Sequence, residues 1–97
     1  MSLYVSLVNW TGQGIKNFRD TTQRAEEFSK LVENSGGRVH EQLWTVGQYD
    51  MICVMEFPDD ETASACLLKA GSAGNIRSNT LRAFSDEEIS GIISRAG

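Results

Sequence analysis

Ninety-seven residues, 40% apolar and 23% charged, describe one modest globular core, with no room for a second catalytic unit and no apolar run long enough to span a bilayer. The formal net charge of −4 repels phosphate backbones and anionic lipid surfaces at long range, which argues against nucleic acid and membrane as partners. Cys53 and Cys66 form no CxxC pair, the single histidine, His40, completes no metal-ligand spacing with them, and the first residues carry no export signal, so two reduced thiols in a cytoplasmic protein are expected, with no metal and no cofactor.

In chain order, residues 3–8 are a nearly unbroken apolar run, interrupted only by Ser6, and predict a strand buried on most of both faces. Residues 9–14, with two glycines, predict a loop. Asp20 with Gln23 resembles a capping box, and Ala25, Phe28, Leu31 and Val32 share one helical face that ends at Gly36-Gly37. Residues 39–46 alternate, with His40, Gln42 and Trp44 on one face and Val39, Glu41 and Leu43 on the other, as suits a sheet edge.

After a turn at Gly47-Gln48-Tyr49-Asp50, residues 51–55 form the second apolar run and a second central strand. Asp59 or Asp60 can cap a helix whose inner stripe is Ala63, Cys66, Leu67 and Ala70. Residues 75–84 predict another edge strand, with Arg77 and Arg82 on opposite faces and so no anion clamp between them. Ser85 and Glu88 form a capping box ahead of Ile89, Ile92 and Ile93, a helix that needs something to dock on.

Strand, helix, strand, strand, helix, strand is the order of the ferredoxin-like βαββαβ arrangement: a four-stranded antiparallel sheet with two helices on one face, here with a short terminal helix. The whole chain, 1–97, reads as one such α+β domain. Its other sheet face is left apolar and open, which predicts a homo-oligomer.

Tyr4-Val5-Ser6-Leu7-Val8-Asn9-Trp10-Thr11 with Gly14-Ile15, then Trp44-Thr45 with Gly47-Gln48-Tyr49-Asp50, Pro58-Asp59-Asp60, Gly74-Asn75 and Leu81-Arg82-Ala83-Phe84, resemble the GYD domain family over about nine-tenths of the chain. That resemblance implies membership among the ferredoxin-like dimeric α+β barrels and sheet-to-sheet assembly; the family carries no agreed activity. Cofactor-independent oxygenases and haem-degrading enzymes of the same broad superfamily use Asn, Trp and His, and this chain holds Asn9, Trp10, His40 and Trp44, a similarity of composition only.

Three readings follow. The first is a homo-oligomeric small-molecule-binding protein with a pocket at the open sheet face near Trp44, Tyr49 and Asp50, helped by Asn9 and Trp10. The second is a cofactor-independent oxygenase or isomerase acting on a flat aromatic substrate, with His40 as proton acceptor. The third is a ligand-free assembly subunit, in which Tyr49 and Asp50 are turn chemistry. Gly12-Gln13-Gly14 lacks the third glycine of a dinucleotide fingerprint and reads as a strand-to-helix connection.

Overall fold

The structure, a computed structural model, describes residues 1–97. Strands β1 (Ser2–Trp10), β2 (Arg38–Trp44), β3 (Met51–Phe57) and β4 (Ile76–Ala83) form one antiparallel sheet in the order β2-β3-β1-β4. The two apolar runs are therefore its central strands, as their sequence demands, and the two mixed strands are its edges.

Alternation assigns the faces. Tyr4, Ser6 and Val8 stand opposite Met55, Cys53 and Met51 and are buried, while Leu3, Val5 and Leu7 pair with Glu56, Val54 and Ile52 on the other face and are only half-buried. On the buried face the core joins Tyr4, Cys53, Met55 and Phe57 to Val32 of α2 (Thr21–Asn34) and to Ala63 and Cys66 of α3 (Asp60–Ser72). Both long helices thus cover the same face, and the ferredoxin-like arrangement is observed as expected. No helix is long and apolar enough to cross a membrane.

Local signals explain most boundaries. The Asp59 carboxylate accepts from the Thr62 amide at 2.7 Å, which holds its carboxyl below the usual range and opens α3. Ser85 and Glu88 close a reciprocal capping box on α4 (Asp86–Ala96). Gly36 ends α2 with φ at +87°, a conformation cheap only for glycine.

Two expectations are corrected here. The stretch read as a loop continues β1 to Trp10 and then forms a short helix, α1 (Gly12–Lys16), because the Thr11 hydroxyl caps it by accepting from the Gly14 amide at 3.0 Å. Asp20 stands at the start of α2 but makes no cap bond; a 3-10 turn, Phe18–Asp20, leads into the helix, and the Gln23 side chain donates to Glu27 instead.

The two thiols are inert by position. Burial pushes the Cys53 thiol up to about 12 and also raises that of Cys66. A raised thiol contributes stability that is complete below the unfolded value near ~8.5 and is lost as pH rises toward 12. We expect neither cysteine to react with a thiol reagent at pH 8 until denaturant is added; rapid labelling of the folded protein would contradict their burial.

Candidate functional site

Between the covered sheet face and the inner sides of α2 and α3 lies a cavity of about 420 Å³, within the roughly 300–1,000 Å³ of ligand pockets. It exists because small side chains face one another there: Ser6 and Ser78 on the sheet, Ala25 on α2, Ala70 and Ala73 on α3 and just after it. Val8, Met51 and Ile76 line one end and Phe28, Leu31 and Leu67 the other.

Polar and charged side chains share the lining with apolar ones, and most of them are already bonded. Ser6 Oγ lies 2.6 Å from Thr80 Oγ1, and Gln42 Nε2 donates to the Ala25 carbonyl at 3.1 Å. Among the buried groups the exception is Trp10, whose Nε1 has no solvent-accessible surface and donates to nothing. A buried donor without an acceptor costs about 1–3 kcal/mol, a cost the packing around the Trp10 ring has to offset.

The residues singled out from sequence are dispersed. Trp10 is on the cavity. Trp44 is on the covered face, beside the cavity, with Nε1 donating to Thr21 Oγ1 at 3.0 Å. His40 does not share that face: it follows Val39 in the alternation and so lies on the uncovered side, and the extra residue at the β2–β3 register shift between Val39 and Glu41 turns Gln42 and Trp44 to the covered one. There its Nε2 lies 3.6 Å from a Glu56 carboxylate oxygen, which Arg38 also approaches at 3.7 Å. Asn9 pairs with Arg77 and lies on the uncovered side as well. His40, Gln42 and Trp44 therefore do not converge, and the proton acceptor of the catalytic reading stands on the opposite side of the sheet from the cavity.

Tyr49 and Asp50 form the β2–β3 turn. The Asp50 carboxylate accepts from the Trp10 backbone amide at 2.9 Å, its amide donates to the Val8 carbonyl, and its carbonyl accepts from the Thr45 amide. Thr45 Oγ1 donates to the Tyr49 carbonyl at 2.5 Å. This turn clamps the end of β1, and so fixes the backbone that carries Trp10. The cavity lies beneath the helices, on the other side of the sheet from the open face at which a pocket beside Trp44, Tyr49 and Asp50 is expected. Removing the clamp by Asp50→Ala should cost about 1.5–3 kcal/mol, the worth of a charge-assisted bond, whereas Tyr49→Phe should be neutral within about 0.5 kcal/mol. Urea unfolding midpoints of the two variants test this.

Arg24, Ala70 and Ala73 were not among the sequence candidates for the site. The one visible signal for the two alanines is the run of small residues along α3, which reads equally as close helix packing; Arg24, on α2, has none.

Known proteins give the frame. A curated protein of Thermus thermophilus, described as a glutamine synthetase and cystathionine beta-lyase binding protein, is 29% identical over 85 residues, 87% of this chain and 90% of that one. A crystal structure of a candidate chlorite dismutase superposes with a TM-score of 0.57 at 17% identity, covering 95% of this chain and 48% of that one. The chain thus spans about half the length of that structure, a likeness of fold alone. The GYD domain model matches residues 4–93, a span that takes in most of β1, the Tyr49-Asp50 clamp, the cavity and most of α4, and the chain accordingly belongs to the GYD domain family.

Proposed function

We propose that this protein is a self-associating binding protein that holds a small, mainly apolar molecule between its sheet and its two long helices. The cavity of about 420 Å³, with an apolar chamber around Phe28, Leu31 and Leu67 and a few polar side chains at its edges, supports this reading most directly. Self-association is supported by the uncovered face, where Val5, Leu7, Ile52 and Val54 are half-buried and Leu43 and Leu81 are 51% and 48% exposed.

A second reading is favoured by the description of the Thermus relative: the same face would receive another protein instead of a second copy. Native mass spectrometry of freshly purified protein separates the two. The binding reading expects a defined oligomer with extra mass in every subunit, and Ala70→Phe, which puts a ring into the cavity, should keep the oligomer and lose the extra mass. A bare monomer over a wide concentration range would count against it and in favour of the protein-binding alternative.

A further inference from the structure

The cavity is chemically polarised along β1. Trp10 and Asn75 lie where β1 leaves the sheet; Thr11 donates its amide to the Asn75 carbonyl at 3.0 Å, and Gly14 packs against that same carbonyl. Arg24 reaches the same corner, because its Nη2 donates to the Gly14 carbonyl at 3.3 Å and its Nη1 to the Asn17 carbonyl at 2.9 Å. Phe28, Leu31 and Leu67 close the other end, packed on the core around Tyr4 and Met55.

Arg24 is held only by main-chain carbonyls and is absent from the ion pairs of the molecule, all three of which lie elsewhere. Two carbonyl bonds leave part of its five-donor fork free and its charge uncompensated. Lys69, also on the cavity lining, has no carboxylate partner either. The one acid among the lining residues, Glu27, accepts from Gln23 Nε2 at 3.3 Å. A fixed cation thus stands at the same end as the Trp10 ring, with an apolar chamber behind both.

Resting on the binding reading above, we infer that the ligand is an amphipathic carboxylate: its carboxylate faces the Arg24 guanidinium beside the Trp10 ring, and its apolar body lies toward Phe28, Leu31 and Leu67. A neutral apolar molecule would leave the cation without a counter-charge. A compact inorganic anion would leave the chamber unfilled.

The test compares matched pairs on the unmodified protein by calorimetry: octanoate against octan-1-ol, and 4-phenylbutyrate against 4-phenylbutan-1-ol. Emission of Trp10, followed in a Trp44→Phe variant, reports on the site. At least one acid should bind about tenfold or more tightly than its own alcohol, as a charge-assisted bond requires, and which acid does so tells an aliphatic body from an aromatic one. Arg24→Gln should erase that preference and leave alcohol binding in place. Alcohols that bind as well as or better than their acids would overturn the carboxylate assignment while the cavity reading stands. Failure of all four probes to bind or to change Trp10 emission at millimolar concentration would overturn both.

Discussion

Gly14→Ala should be the most damaging single-methyl change in the chain, costing about 3 kcal/mol or more and moving the urea midpoint accordingly. A Cβ built on Gly14 would overlap the Asn75 carbonyl oxygen and lie 2.9 Å from its carbon. Both partners are backbone, so no side chain can swing aside. Neither segment is free to retreat: Thr11 donates its amide to the Asn75 carbonyl and its hydroxyl to the Gly74 carbonyl at 2.6 Å, and Gln13 Nε2 donates to the Ala73 carbonyl at 3.1 Å. Gly12, two residues away on the same short helix, has open space where its Cβ would be. Gly12→Ala should therefore be neutral or slightly stabilising, since alanine suits a helix better. Equal effects from the two alanines would show that helix propensity, and not the close approach, sets the glycine requirement.

On the proposed assembly, Val54→Asp should abolish self-association while leaving the subunit folded. Val54 pairs with Val5 at the centre of the uncovered face, between β2 and β1. A charge there would be hydrated in a free subunit and desolvated without a partner in a packed pair. Four strands spaced about 4.8 Å, each some 25 Å long, make a flat face of roughly 500 Å². A stable interface uses about 800 Å² per partner, so the sheets alone fall short. The terminal helix has the missing surface: Ile89 and Ile92 are each 39% exposed and Ile93 63%, and no residue of α4 is buried. Deleting residues 86–97 should weaken assembly without dissolving the sheet. Size-exclusion chromatography with light scattering, paired with far-UV circular dichroism, reads both variants. An unchanged mass for Val54→Asp would place any interface elsewhere.

The fold was legible because its strongest signals are one-dimensional. The apolar runs around Val5 and Val54 could be nothing but central strands, and Asp59 and Ser85 announce their helices by capping chemistry that needs no tertiary partner. The site was less legible because it depends on departures from period and on distance. One extra residue beside His40 inverts the facing of the rest of β2, and no alternation count shows where a ladder slips. The cavity arises where Ser6, Ala25 and Ala70, each unremarked in its own element, come to face one another. Trp10 was visible as an aromatic next to a glycine-rich stretch, but its unpaired nitrogen is a property of the assembled interior. Arg24 gave no signal at all, since a lone arginine on a helix is normally solvated.

β1 occupies the middle of the sheet, between β3 and β4, although it is the first strand made. Trp10 pairs with Ile76 and Leu3 with Ala83. On a ribosome adding about 5–20 residues per second, this largely apolar strand would wait several seconds for its second neighbour. During that interval a nascent chain carries a half-paired apolar strand with an open edge, the species to which chaperones and misassembly both respond. Biosynthesis, more than the stability of the finished subunit, is then the stage at which substitutions in β4 would lower the yield of soluble protein.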